Sequence, residues 1–319
     1  MSPHLGKTDW TDEELSALRA QVLELLETAG LTRRQAALDA GIAEGTFGPW
    51  LNGVYPGDNA KIATQVTLWL KTREDRKAAA AVAVKAPDFQ ELPTARKYLT
   101  ALEHAQFVGD MVLIAGGPGT GKTAAAKQHA ATRSRVTIAT MAPSTRGVAN
   151  CLQEVMAALG EPEAKGTPQA LSRRIAQRFR EAGALLIIDE AQHLSQQAVE
   201  ELRSIHDRTG VGLALVGDEN LLTLFSGAAG RGYAQLSSRI GYRARQARPT
   251  TADVEQLATA WHITDRDAVK LCRDIAAKPG ALRGLTKVLL VASRMAANAQ
   301  PTAAHIREAW QHQAPDLAA

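Results

Sequence analysis

Cysteine is nearly absent from this chain: Cys151 and Cys272 are the only two in 319 residues, and no C-x-x-C spacing occurs. That excludes a disulfide framework or a cysteine-built zinc site, and both thiols are expected as reduced packing residues. Aromatic residues make up only 4%, so the cores must be built from alanine, leucine and valine, which favours helices. No apolar run approaches the ~18 residues that a membrane span requires. Asp9, Asp12, Glu13 and Glu14 interrupt any signal-peptide layout near the start. These absences lead us to expect a cytoplasmic protein with no membrane partner. An excess of one charge is also small, +4 overall, but unevenly spread: residues 1–77 carry nine Lys+Arg against eleven Asp+Glu, so the remainder carries +6. A basic remainder suits an anionic partner.

Three segments separate by pattern. Residues 1–71 read as short helices: Leu15, Leu18, Val22, Leu25 and Leu26 share one helical face, Gly30 ends that helix, and Thr32 with Gln35 forms a capping-box signature for the next. A fourth helix is expected from about Asn59 to Leu70. Residues 72–90 open with mixed charge and pass into an alanine–valine stretch before Pro87, read as a linker or as the fraying end of that helix. Within 91–245, short apolar runs at 111–115, 136–139, 184–188 and 211–216 alternate with helical patterns. Buried parallel strands with crossover helices read this way. Residues 246–319 return to helix. The predicted fold class is therefore an α/β core with a parallel sheet, flanked by an all-α domain on each side.

The strand ending at Ala115 runs into Gly116-Gly117-Pro118-Gly119-Thr120-Gly121-Lys122-Thr123, followed by Ala124 and a helical run. G-x-x-x-x-G-K-[ST] between a strand and a helix is a P-loop. Its glycines let backbone N–H groups turn toward phosphates, and the helix N-terminus adds partial positive charge. Lys122 is placed to reach the β- and γ-phosphates, and the Thr123 hydroxyl to ligate Mg²⁺. Sixty-seven residues after Lys122, the strand Leu185–Ile188 ends in Asp189-Glu190. At the carboxyl edge of such a sheet Asp189 is expected to hold the metal and Glu190 to polarise the attacking water. ATP and Mg²⁺ are thus the expected cofactors, and Mg-dependent ATP hydrolysis the expected reaction.

These two motifs, the strand 213–216 and the later arginine-bearing segments resemble the AAA+ ATPase family. The resemblance implies a residue after the fourth strand that senses the γ-phosphate, here Asp218 or Asn220. It also implies an arginine supplied by a neighbouring subunit: Arg239, in Gln235-Leu236-Ser237-Ser238-Arg239-Ile240, or alternatively Arg231. A sensor arginine in the C-terminal domain is implied at Arg283, in Gly280-Ala281-Leu282-Arg283. Nucleotide at subunit interfaces then follows, in a homo-oligomeric ring or helical filament.

The run Leu31-Thr32-Arg33-Arg34-Gln35-Ala36-Ala37, with Gly41-Ile42, Thr46-Phe47 and Trp50-Leu51, resembles the helix-turn-helix of phage-repressor-type domains. Its second helix would present Glu44, Thr46 and Gly48. Pro49 falls inside that helix and the segment is net acidic, so base-specific reading is not expected, and a small helical docking domain is the alternative. DNA contacts are expected chiefly in the basic remainder, at Thr145 and Arg146 in a loop after the second strand and at Lys165, with Thr46 the candidate in the first segment.

Taken along nearly its whole length, the chain resembles the B transposition proteins of Mu-like bacteriophages. That resemblance implies an ATP-dependent DNA-binding ATPase with little sequence preference, which assembles on double-stranded target DNA and delivers it to a transposase. Two other readings stay open: an ATP-gated, sequence-specific transcription regulator, and a protein-remodelling AAA ATPase with no DNA role.

Overall fold

A computed structural model of the chain describes residues 10–82, 85–180, 183–225, 238–297 and 299–313. The chain divides into two compact units, Met1–Ala83 and Val84–Ala319.

Among the described residues the first unit holds four helices, α1 (Asp12–Ala29), α2 (Arg33–Asp39), α3 (Glu44–Leu51) and α4 (Asn59–Val82). Thr11 and Thr32 each close a capping box, with Glu14 and Gln35 as the returning side chains. Val22, Ala36, Phe47, Trp50 and Val66 pack the centre. Pro49 lies inside α3, which runs to Leu51. The residue four positions back, whose carbonyl loses its N–H partner, is the exposed Gly45, where water can take the donor's place. The stretch read as a linker from residue 72 is instead helical through Val82, so α4 runs for 24 residues. Alanine is the strongest helix former, and no breaker stands before Pro87.

The second unit opens with α5 (Pro93–Val108) and builds a five-stranded sheet from β1 (Met111–Gly116), β2 (Val136–Thr140), β3 (Leu185–Asp189), β4 (Gly212–Gly217) and β5 (Ile240–Gln246). The strand order is β2-β3-β4-β1-β5, and every pairing is parallel. Alternation along each strand feeds two cores. Met111, Leu113, Leu186, Ile188, Leu213 and Leu215 face one side, under α7 (Val148–Ala158), α8 (Pro168–Arg178) and α9 (Gln196–Thr209). Val112, Ile114, Leu185, Ile187, Ala214 and Val216 face the other, under α5 and α6 (Lys122–Thr132). Burying each large aliphatic side chain contributes about 1.5–3 kcal/mol, so the central strands are held from both faces. A short helix, α10 (Asn220–Phe225), follows β4.

The fifth strand was not among those expected. Its sequence, Ile-Gly-Tyr-Arg-Ala-Arg-Gln, buries only Ala244 and stands at the sheet edge. Beyond it α11 (Thr251–Ala260), α12 (Arg266–Ala276), α13 (Ala281–Met295) and α14 (Ala303–Gln313) enclose a third core around Ala258, Cys272, Leu285 and Ile306, to which Leu92 and Ala95 of the α5 region contribute. Burial pushes the Cys151 thiol up to about 12 and that of Cys272 to about 11, so both are inert packing groups. Among the described residues no helix is long and apolar enough to cross a membrane.

Candidate functional site

The carboxyl ends of β1, β3 and β4 open on one side of the sheet, and the loops leaving them converge there. The loop after β1 is pressed on two sides. A methyl group on Gly117 would lie 2.1 Å from the Ala247 carbonyl oxygen, just past β5. One on Gly119, at φ +77°, would lie 2.1 Å from the carbonyl oxygen of Gly280 at the start of α13. Only glycine fits at either place. Gly117 also donates its N–H to Gln246 O at 3.1 Å. The loop is tied from below by Tyr98 of α5, whose buried hydroxyl donates to Thr120 Oγ1 at 3.1 Å, while Thr120 Oγ1 donates to Gly117 O at 2.9 Å. Burial pushes the Tyr98 phenol up to about 12, keeping it a protonated donor.

Lys122 opens α6 and folds its Nζ back onto Gly116 O at 2.7 Å and Gly117 O at 2.9 Å. Desolvation lowers its pKa, opposed by Glu190, Asp189 and Asp218 and assisted by Arg283. Those four side chains are thus the charges that surround the lysine. Thr123 Oγ1 donates to Asp189 Oδ2 at 2.9 Å. A hydroxyl and a carboxylate so close together are hard oxygen donors of the kind Mg²⁺ takes, with the remaining positions left to phosphate and water, so the residues present fit that ion. Asp189, 3% exposed, also accepts the Glu190 N–H on Oδ1 at 3.0 Å. Glu190 is left-handed, at φ 55° and ψ 37°, which turns its half-buried side chain out of the strand line.

A cavity of about 430 Å³ is lined by Pro118–Ala124 and Glu190, by Leu282, Arg283 and Lys287 of α13, and by Phe89, Gln90 and Leu92. Residues 87–90, expected as linker, therefore belong to the wall of the site. Asp218 is half-buried beside Lys122, whereas Asn220 is exposed and donates to Asp218 Oδ2 through Nδ2 at 3.0 Å. Arg239 lies elsewhere. It precedes β5 at the amino ends of the strands, where its side chain, 58% exposed, faces Asp207 at 3.9 Å. Seven residues of strand separate it from the P-loop end, roughly 20 Å and well beyond an arginine's reach. Arg231 and residues 235–237 lie outside the described residues.

The expected DNA contacts fare unequally. Arg146 and Lys165 are exposed, and Thr46 is half-buried on α3. Thr145 is a correction: it is 6% exposed, and its hydroxyl accepts the Ala142 N–H at 2.8 Å and donates to Ala142 O at 2.9 Å. A hydroxyl closing its own turn has nothing left for a phosphate. Two contributors are not signalled by sequence pattern, Tyr98 and Gln192. The first looks like any apolar helix residue, and the second differs from its neighbours only in following Asp189-Glu190-Ala191.

An AAA domain is recognised over residues 106–225, and the C-terminal region of the Mu B transposition protein over residues 238–312. The chain is 34% identical over 283 residues to the ATP-dependent target DNA activator B of Escherichia phage Mu, covering 88% of this chain and 89% of that one. The same identity and coverage hold for the activator B of Escherichia phage D108. The Mu-like prophage FluMu DNA transposition protein B of Haemophilus influenzae is 33% identical, over 82% of this chain and 91% of that one. Identity at this level, sustained from the P-loop unit through the C-terminal helices, makes the chain a member of the Mu B transposition protein family with an AAA+ core.

Proposed function

We propose that the protein is a Mg²⁺-dependent ATPase that assembles on double-stranded DNA with little sequence preference and delivers it to a transposase. One observation carries the reading: Lys122, Thr123, Glu190 and Arg283 line a single cavity, with Asp189 bonded to Thr123, in a chain whose relatives are named ATP-dependent target DNA activators. Bound Mg²⁺ neutralises phosphate charge. The chain's own part is to bind and orient: the P-loop amides and Lys122 hold the phosphates, Thr123 and Asp189 hold the ion, and Glu190 takes a proton from the attacking water. Asp218 is the better sensor, because it is the one whose charge Lys122 feels. Arg283 approaches from the helical side in cis. Arg239, at the amino end of β5, serves a neighbouring subunit's nucleotide, which requires an oligomer, as a ring or a filament. Arg146 and Lys165, on exposed loops of the basic second unit, meet DNA phosphates. The first unit has helix-turn-helix character in α2 and α3, with Thr46 half-buried on its outer helix.

The test is co-sedimentation with two unrelated linear duplexes in ATP, ADP or no nucleotide, with Lys122→Ala as control. Equal binding to both duplexes, present with ATP and lost in the variant, is expected. Preference for one duplex favours an ATP-gated regulator. Binding to neither, with ATPase activity intact, favours a remodelling ATPase.

A further inference from the structure

Strand β5 joins the sheet with an irregularity at its first residues. Met111 pairs with Ile240 and Val112 with Tyr242, so Gly241 is an extra residue with no partner on β1. That is a β-bulge, rare between parallel strands and a device that re-aims side chains. The space beside it is already filled. A methyl group on Gly241 would lie 1.7 Å from Asp110 Oδ2 and 2.6 Å from the carboxyl carbon. Gly241 is not among the glycines at positive φ, so space and not backbone angle requires glycine here. The carboxylate is pinned where it stands. Oδ1 accepts the Met111 N–H at 2.7 Å, and Oδ2 accepts from His104 Nε2 at 3.0 Å, since a carboxylate only accepts. The Asp110 carbonyl accepts the Leu213 N–H at 3.0 Å. His104 in turn packs on the Tyr242 ring, with centroids 5.7 Å apart. One residue thus joins α5, β1, β4 and the bulge of β5. Arg239 stands two residues before that bulge. Its guanidinium faces Asp207 at 3.9 Å, beyond hydrogen-bond range, and Arg203 already bonds that carboxylate. So loose a tether leaves the aim of the side chain to the backbone that carries it.

We propose that Asp110 is a positioning residue for Arg239: its carboxylate, by filling the space of a Gly241 side chain, fixes the bulge and with it the direction in which Arg239 leaves the sheet. The proposal rests on Arg239 acting on a neighbouring subunit's nucleotide. In a strand, a slip of one residue turns every side chain to the other face. Without the bulge, Arg239 would move one position along and change face. A reacting centre tolerates little of that, since a misplacement of about 1 Å can cost roughly a hundredfold in rate. Asp110 lies at the amino end of β1, the length of the strand away from its own P-loop. It therefore acts on the next copy's reaction and leaves that of its own chain alone.

The test mixes two full-length chains in equal amounts with ATP, Mg²⁺ and duplex DNA. The donor carries Glu190→Gln, so it offers Arg239 but hydrolyses little itself. The acceptor carries Arg239→Ala and offers an intact pocket. Gly241→Ala in the donor is expected to lower the recovered turnover about tenfold or more, whereas in the acceptor it should change it by less than about twofold. A general loss of folding or assembly would show in both placements. Asp110→Ala should act in the same direction by less, and carries the test alone if Gly241→Ala does not fold. Asp110→Asn in the donor fills the same space and should keep turnover within about twofold of the unaltered donor. A loss there equal to that of Asp110→Ala overturns the proposal, as does a substitution that acts alike in donor and acceptor or in neither. No recovery even with the unaltered donor overturns the role of Arg239 across subunits and the proposal together.

Discussion

Asp253 is fully buried, yet no cation pairs with it among the described residues. Its carboxylate accepts Thr94 N–H at 2.8 Å, Thr94 hydroxyl at 2.6 Å, and Thr250 N–H and hydroxyl at 2.7 Å each. Four donors from two segments thus lock the start of α5 to the start of α11. Asp253→Ala leaves those donors dry and should cost about 2–4 kcal/mol by chemical denaturation, with Asp253→Asn losing about half as much. The P-loop residues are legible from the amino-acid order alone, because Gly117 and Gly119 are glycines for reasons of contact and backbone angle that any phosphate-cradling loop imposes. Asp253 and Gln192 are not, because their partners lie far along the chain: Thr94 is 159 residues from Asp253, and Asp218 is 26 from Gln192.

Helix α6 carries a second buried polar group at its far end. His129 is 2% exposed and bonds through Nε2 to Gln106 Oε1 at 2.8 Å, while Gln106 Nε2 donates to Ser134 O and Gly183 O. Two carbonyl partners fix that amide, so His129 Nε2 must be the donor. Burial lowers its pKa, with the Arg133 charge adding to the effect and Glu103 opposing it. The unfolded chain therefore binds a proton near pH 6.5 that the fold still refuses. Stability from this site is present above pH 6.5 and is lost as the pH falls toward the lowered value, by at most about 1.4 kcal/mol per pH unit. His129→Gln, which keeps a donor without a titrating ring, should flatten that part of a melting-temperature profile between pH 7 and 5. The same scale shows where pattern reading fails. Edge strand β5 shows exposed arginines and one buried alanine, so its periodicity resembles a polar loop; only pairing with β1 reveals it. The last turns of α4 carry the composition of a linker, since a solvated alanine-rich helix and a flexible tether draw on the same residues.

At the scale of the whole molecule, the P-loop cavity lies at the carboxyl ends of the strands and Arg239 at the amino end of β5. Complementation tests whether they meet across subunits. Glu190→Gln and Arg239→Ala should each hydrolyse ATP poorly while still binding it. Mixed in equal amounts, they should recover on the order of a quarter of wild-type turnover, because random neighbours restore one competent interface in four. No recovery on mixing assigns Arg239 to structure alone. The overall architecture, an α/β core followed by helices, could be read from alternating apolar runs and returning helical periods. The placement of Arg239 and the P-loop at opposite ends of the strands could not, since it follows from β5 pairing parallel with β1.

The roughly 20 Å of strand between Arg239 and the phosphate loop has a consequence for dosage. Under the proposed assignment the completing arginine sits on another copy, so a solitary chain would be half a reaction centre, and output per molecule would rise with crowding and vanish on dilution. A DNA surface that gathers copies would then act as a concentrator. Spent chains that drift away would fall silent without any dedicated inhibitor.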